Sequence, residues 1–401
     1  MSPAGDRGRY QPLGKYGVSE YAVPVHPPSV GIRRHLPLKG ETGASGTIFT
    51  TGKSGKTSHM SKLEKLLAEK GALLADGATG TTLFDMGLVS GDAPELWNVD
   101  QPDRIRALHR GFVEAGSDII LTNTFGANRH RLKLHGAEGR VKELNAAAVR
   151  LAREVIEEGD RDVLVAGSIG PTGELFQPLG ALSHEDAVEA FREQIEGLVE
   201  GGADILWVET MSAAEEMKAA AEAAHGSGLP LVITASFDTA GRTMMGLPPK
   251  GLGALKSEFA CTPVAIGSNC GVGASDLLAA ILEITEADPE AIVVAKGNCG
   301  IPRIRGDEVV YTGTPELMAD YTRLAMDAGA RIIGGCCGTS AGHIAAMRQA
   351  MDSHSRGDRP SLEEVLGTIG PLVSPPNKGA EVARADGGDA TSGRRRGRRR
   401  T

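Results

Sequence analysis

Short apolar runs alternate with amphipathic segments from residue 61 to residue 353. The amphipathic segments carry apolar residues at spacings of three and four, which predicts helices that bury one face. Eight of the apolar runs predict short buried strands. They lie at residues 72–75, 118–121, 163–166, 205–208, 231–234, 264–266, 292–295 and 331–333. Eight strands alternating with helices over this length predict an α/β fold, a (β/α)8 TIM barrel.

The competing architecture is a doubly wound open sheet. That fold would place a phosphate-binding glycine fingerprint after the first strand and an acidic residue about 20 positions later. Residues 76–81, Asp-Gly-Ala-Thr-Gly-Thr, resemble such a fingerprint only superficially, so the barrel is favoured. A helix capped by Ser61, with Glu64 completing a capping box, is predicted to run to Lys70 and lead into the first strand.

The two ends of the chain lack this pattern. Residues 1–59 are rich in Gly, Pro, Ser and Thr and show no persistent period. We expect a disordered extension there, or an over-extended reading frame with Met60 as the true start. Residues 354–401 are polar and end in an arginine-rich stretch, which predicts a disordered basic tail. The expected catalytic unit is therefore a single barrel domain at residues 60–353.

The amino-acid composition indicates the class of protein, its compartment and the partners that are not expected. The 401-residue chain is 41% hydrophobic and 23% charged, as is ordinary for a globular protein. It contains no apolar run of the roughly 20 residues that span a bilayer and no secretory signal, so we expect no membrane partner. Five cysteines, an odd number, indicate a reducing compartment, and we expect a cytoplasmic protein. The net charge of −8 gives no reason to expect nucleic acid as the main partner.

Polar residues follow the predicted strands with consistent placement. Asp76 follows the first strand, Asn123 the second and Glu209 the fourth. Lys296 and Asn298 follow the seventh. In (β/α)8 barrels the chemistry lies on the loops at these carboxyl ends. Their agreement therefore supports the barrel and predicts one site at its mouth.

The cysteines indicate the chemistry of that site. Cys336 and Cys337 follow the last strand and Cys270 follows the sixth, two strands away around a closed barrel, so the three thiols can converge. Three thiolates leave one tetrahedral position open, the pattern of a catalytic Zn²⁺ site. Such a site suits a further thiolate, which implies alkyl transfer to a substrate thiol. The alternative for the adjacent pair is two small buried hydrophobes. Cys299 is predicted to be a bystander and Cys261 a packing residue.

Seven segments together resemble the homocysteine S-methyltransferase family, which includes the homocysteine module of methionine synthase and betaine–homocysteine methyltransferase. They are residues 76–81, 122–125, 167–171, 209–210, 241–243, 269–270 and 334–339. The resemblance runs from about residue 72 to 350. It implies a (β/α)8 barrel and homocysteine bound through its sulfur to Zn²⁺ on the three cysteines named above. It also implies that Glu209 and Asp76 hold the amino-acid end of the substrate, with Asn123 as a further candidate substrate-binding residue.

A further segment bears on the identity of the methyl donor. Residues 91–98 resemble bacterial stand-alone enzymes assigned to betaine, so betaine is the expected donor, and methionine the product. Aromatic faces usually bind a quaternary ammonium, yet this chain has Gly126 and Thr210 where the animal betaine enzymes have tyrosines. S-methylmethionine and a separate methylcorrinoid protein carrying methylcobalamin stay as alternative donors. A non-catalytic barrel whose cysteines bind thiols or sense redox state is the alternative from another functional class.

Overall fold

Eight parallel strands form a barrel in the computed structural model, which describes residues 60–305 and 308–375. The strands of the barrel are β1 (Leu73–Leu74), β2 (Ile119–Leu121), β3 (Leu164–Ile169), β4 (Ile205–Met211), β5 (Leu231–Ala235), β6 (Ala265–Cys270), β7 (Val293–Gly297) and β10 (Ala330–Gly335). Their order is β1-β10-β7-β6-β5-β4-β3-β2, and a parallel bridge between Ala75 and Ile119 joins the two ends. Each predicted strand overlaps one of these, and the predicted (β/α)8 fold is confirmed.

Helices connect the strands and pack around them. The described helices are α1 (Lys62–Lys70), α2 (Thr79–Asp85), α3 (Trp97–Asp100), α4 (Pro102–Glu114), α5 (Arg129–Lys133), α6 (Val141–Glu157), α7 (His184–Gly201), α8 (Ala214–Ala224), α9 (Pro249–Leu255), α10 (Ala274–Ala287), α11 (Pro315–Asp327), α12 (Ala341–Ser353) and α13 (Leu362–Ile369). Among these helices, none has the length and hydropathy that crossing a bilayer requires.

Helix α1 begins as the sequence predicts. The Glu64 backbone N–H donates to Ser61 Oγ, and the Ser61 N–H donates to the Glu64 carboxylate at 2.8 Å, which completes the capping box. The leucines of α1 are buried in the same cluster as the side chains inside the barrel, including Trp207 of β4. Burying a leucine contributes about 1.5–3 kcal/mol, so α1 stabilises the barrel interior.

An antiparallel hairpin separates β7 from the last barrel strand. It comprises β8 (Pro302–Arg305) and β9 (Glu308–Tyr311). The sequence pattern did not predict it. Tyr311, at its end, packs against the loop after β10, because a Cβ placed on Gly338 would lie 2.3 Å from the tyrosine side chain. Gly338 has a φ of 80°, so both its conformation and its surroundings favour glycine there.

The region after residue 353 differs from expectation. Ser361 caps α13 with a capping box, and Val365 and Ile369 are buried. Beyond the helix, the Asp276 carboxylate accepts hydrogen bonds from the Val373 and Ser374 backbones, each at 2.9 Å. The prediction of a disordered tail from residue 354 is therefore wrong for residues 354–375, because a buried helix and polar contacts hold this segment. The predictions for residues 1–59 and 376–401 lie outside the described residues.

Candidate active site

Three thiols meet at the carboxyl ends of the barrel strands. Cys270 is the last residue of β6, and Cys336 and Cys337 directly follow β10. Their sulfurs all lie within 4.8 Å of one another, and the Cys270 and Cys337 sulfurs are 4.0 Å apart. In a tetrahedral site with metal–sulfur bonds of about 2.3 Å, the sulfurs lie about 3.8 Å apart. These three residues, the thiol cluster, fit one metal ion with little movement.

The backbone at Cys270 is held in an unusual conformation. Its φ is 63°, in the left-handed region that costs a non-glycine residue about 1 kcal/mol or more. The preceding residue, Asn269, is fully buried, and its Oδ1 accepts hydrogen bonds from the Thr210 N–H and the Thr234 hydroxyl, both at 2.7 Å. Asn269 therefore anchors β6 to β4 and β5 at the residue before the thiol and holds the strained conformation.

The segment at the end of β7 holds the cysteine pair. The Cys336 N–H donates to the Gly297 carbonyl at 2.6 Å, and the Cys337 N–H donates to Asn298 Oδ1 at 3.0 Å. The Asn298 amide also donates to the carbonyl of Gly271, the residue after the β6 cysteine, at 2.6 Å. Asn298 thus links the two loops that carry the thiol cluster.

The other two cysteines lie outside the cluster. Cys299 is buried, and its sulfur packs against Gly313, where a Cβ would lie 2.6 Å from it. Cys299 contributes to the site through its backbone, whose N–H donates to the Cys337 carbonyl at 2.9 Å. Cys261 is half-buried before β6, and burial raises the pKa of its thiol. Neither is among the described residues that could share a metal ion with the cluster.

The thiols of the cluster influence one another. Hydrogen bonds from Cys270 and Cys336 hold the pKa of Cys337 below its ordinary value, and Tyr311 contributes a further hydrogen bond. Hydrogen bonds with its two neighbours raise the pKa of Cys270 in turn. The hydrogen bonds within the cluster therefore favour the thiolate form of Cys337.

A buried lysine lies beside the cluster. Lys296 Nζ donates to the Gly335 carbonyl at 2.6 Å and to the Gly77 carbonyl at 3.2 Å, and it pairs with Asp76 Oδ1 at 3.3 Å. Burial disfavours the ammonium, but the charges of Asp76 and Cys336 outweigh this and hold the pKa of Lys296 above its ordinary value. The side chain joins the ends of β7, β10 and β1 beneath the cysteine pair.

A cavity of about 250 Å³ opens above the thiol cluster. Its walls come from the carboxyl ends of β2, β3, β4, β6 and β7 and from the segments that follow β1, β2 and β10. On the β4 side, burial raises the pKa of Glu209 to about 7. The Ser168 hydroxyl donates to its Oε1, and the Asn269 amide donates to its Oε2 at 3.4 Å. The cavity therefore contains thiols and an oriented carboxyl group.

A model of the family described as homocysteine S-methyltransferase matches residues 73–351. The chain belongs to the homocysteine S-methyltransferase family. It is accordingly an S-methyltransferase that acts on homocysteine, which confirms the resemblance found in the sequence.

Solved structures agree with this assignment. The metallated form of homocysteine methyltransferase MmuM from Escherichia coli is 28% identical, with a TM-score of 0.61 over 72% of this chain and 99% of that chain. The oxidized form of the same protein matches with the same identity and TM-score over 72% and 98% of the two chains. Its apo form is 26% identical, with a TM-score of 0.56 over 72% and 99%.

In this methyltransferase the remaining candidate residues occupy different positions. Asn123 lines the cavity, but its amide donates to the Pro94 carbonyl at 2.8 Å and to Asn98 Oδ1 at 3.0 Å. Asp76 is only 1% exposed, accepts the Leu121 N–H at 2.7 Å and reaches the cavity only through Lys296. Of the three candidate substrate-binding residues, Glu209 alone lines the cavity without such a competing structural contact to the backbone.

Three further residues shape the site through contacts that the sequence pattern does not show. The pattern places Lys296 and Asn298 at a strand end, but it does not indicate the long-range partners of their side chains. Glu95 lies on a turn of 3-10 helix, Pro94–Leu96, and lines the cavity with a carboxyl group only 6% exposed. A lone glutamate in a loop carries no signal of burial.

A larger cleft, about 1030 Å³, lies near the opposite end of the barrel. Its charged residues gather around Asp118, a fully buried carboxylate that pairs with Lys70, Arg161 and Arg348. Chemistry in (β/α)8 enzymes lies at the carboxyl ends of the strands, whereas the other end contributes stability. The smaller cavity is therefore the candidate active site of this methyltransferase.

Proposed function

We propose that this homocysteine S-methyltransferase is zinc-dependent and makes methionine with betaine as the methyl donor. The single observation that carries the zinc assignment is the geometry of the thiol cluster at the floor of the cavity. Three soft sulfur donors favour Zn²⁺ over harder ions. Zinc bound by Cys270, Cys336 and Cys337 would hold the homocysteine sulfur as a nucleophilic thiolate in the fourth position.

The polypeptide would orient the homocysteine molecule. The Glu209 carboxylate would accept the substrate ammonium, and Ser168 and Asn269 orient that carboxylate. A bound ammonium favours the ionised form of a carboxyl group whose pKa lies near 7. Asp76 would contribute through Lys296, whereas Asn123 would shape the wall of the cavity.

For methyl transfer, the homocysteine sulfur must approach the methyl carbon in line with the donor bond that breaks. The homocysteine sulfur forms a bond to a methyl carbon as the carbon–nitrogen bond of betaine breaks, and the electron pair stays on the nitrogen of dimethylglycine. The chain supplies apolar walls, including Leu121 and Phe125, that exclude water from this path. Holding both reactants within bonding distance is the main catalytic effect that this geometry supports.

The test is methionine formation by the zinc-loaded protein from homocysteine, with betaine, S-methylmethionine and methylcobalamin compared as donors. We expect stoichiometric zinc and turnover with betaine. Turnover with methylcobalamin alone would indicate that a corrinoid protein, and not betaine, supplies the methyl group. Reversible disulfide formation with no zinc and no turnover would favour the redox-sensing barrel. A Cys299→Ala variant is the matched control, since Cys299 is buried outside the cluster.

A further inference from the structure

Glu95 is a second carboxyl group in the active-site cavity, and the reaction outlined above gives it no role. Its side chain is buried, and its Oε1 accepts the Gly126 N–H at 2.7 Å. Its remaining hydrogen bond comes from its own backbone. Within the described part of the chain, no lysine, arginine or histidine forms an ion pair with it, and Arg131 and His135 act only at longer range.

A buried carboxylate with no cationic partner is unfavourable. Burial accordingly raises the pKa of Glu95, and the two backbone hydrogen bonds offset this only in part. A cationic ligand in the cavity would supply the missing counter-charge. Because Glu95 belongs to the segment between β1 and β2, it lies on a different wall from Glu209, at the end of β4. The cavity thus presents two carboxyl groups to two reactants.

The surroundings of Glu95 suit the donor. A Cβ placed on Gly126 would lie 2.8 Å from Glu95 Oε1, so a side chain at position 126 and the carboxyl group of Glu95 exclude each other. The carboxylate occupies space that a larger residue at 126 would take. Phe125, the residue before, also lines the cavity. A carboxylate attracts an onium group by charge and an aromatic side chain attracts it through its ring.

We propose that Glu95, assisted by Phe125, recognises the positively charged onium group of the methyl donor and so restricts this enzyme to quaternary ammonium or sulfonium donors. This inference rests on the proposed function. Methyl transfer removes the positive charge from the donor, because the electron pair of the broken bond returns to nitrogen or sulfur. The attraction to Glu95 is therefore greater for the donor than for the product, and it acts on donor binding more than on the chemical step.

The test is Glu95→Gln in the zinc-loaded full chain. Glutamine retains an acceptor for the Gly126 N–H and removes the charge. We expect the KM for betaine to rise about 10- to 100-fold, which corresponds to a loss of about 1.4–2.8 kcal/mol of binding free energy. The inhibition constant of 3,3-dimethylbutanoate, which keeps the shape and carboxylate of betaine but has carbon in place of the positively charged nitrogen, should change less than about threefold. Glu174→Gln, an exposed glutamate after β3, is the matched control and should leave both constants unchanged.

Three results with the Glu95→Gln variant would overturn the inference. The betaine KM could stay unchanged in Glu95→Gln, both ligands could weaken equally, or the homocysteine KM could rise instead. Turnover of the unaltered protein with methylcobalamin alone would also overturn it, since that donor carries no onium group on the methyl. Failure of all donors would refute the proposed function separately. If no donor is turned over, calorimetry measures the binding of betaine to the protein loaded with zinc and homocysteine. Absence of betaine binding would count against the proposed role of Glu95.

Discussion

Replacing Lys296 with methionine tests whether a buried cation stabilises the floor of the active site. Methionine keeps the length of the side chain but removes its charge and its donors. The change leaves Asp76, which is 1% exposed, without its ion-pair partner. It also leaves the Gly335 and Gly77 carbonyls without the ammonium that now lies 2.6 and 3.2 Å away. Water has little access to any of these groups.

The expected loss follows from these contacts. Removing one member of a buried ion pair costs about 3–5 kcal/mol, because the other charge stays buried. Burial already raises the pKa of Asp76, so proton uptake by Asp76 limits the loss to the lower part of that range. Adding Asp76→Asn removes the second charge. The double variant should therefore be more stable than Lys296→Met by about 1–3 kcal/mol.

The assay is urea unfolding of the reduced, metal-free protein for the unaltered chain, the two single variants and the double variant. The free energies of unfolding form a double-mutant cycle. A loss below about 1 kcal/mol in Lys296→Met, or strictly additive effects of the two changes, would refute the reasoning. Zinc affinity measured by chelator competition should fall about 10- to 100-fold in Lys296→Met, as for other groups that orient metal ligands.

Three further predictions concern other parts of the chain. Alanine at any position of the thiol cluster should abolish zinc binding and methyl transfer, whereas alanine at Cys261 or Cys299 should leave the zinc content at one per chain, as metal analysis would show. Asp118→Asn should destabilise the fold by about 2–4 kcal/mol in urea unfolding, because three basic side chains lose a fully buried partner. The folded metal-free chain holds the Glu209 proton more tightly than the unfolded chain, because the pKa of Glu209 is raised to about 7 in the folded state. The free energy of unfolding should therefore fall as the pH rises from 4.5 to 7. In Glu209→Gln this dependence of the unfolding free energy on pH should be weaker.

The fold and the thiol cluster were predictable because both follow from regular geometry. A barrel places the carboxyl ends of all its strands at one mouth. Cysteines after the sixth and eighth strands therefore had to approach one another, although 67 positions separate Cys270 from Cys337. The capping box of Ser61 and Glu64 at the start of α1 was also predictable from the local sequence.

The rest of the site depends on contacts that no local pattern encodes. Lys296 reaches a carbonyl 219 positions away in the chain, at Gly77. Glu95 is buried only because the turn that carries it folds over Gly126. Helix α13 was not predicted either, but for a different reason. Its capping box, Ser361 with Glu364, is visible in the sequence, but the polar composition and arginine-rich end of residues 354–401 favoured disorder.

The charges in the cavity explain how both reactants bind and why the demethylated donor leaves. Lys296 and Asp76 neutralise each other, so the carboxyl groups of the cavity walls without a basic partner among the described residues are Glu209 and Glu95. In the proposed reaction the homocysteine ammonium pairs with Glu209 and the donor onium pairs with Glu95, so both buried groups gain a partner only when both reactants are present. Methionine keeps its ammonium, whereas methyl transfer leaves the former donor with a neutral sulfur, or with a neutral nitrogen until that nitrogen takes up a proton. Glu95 is then again a buried carboxylate without a cation, which weakens its hold on the demethylated product and favours exchange for a new donor molecule.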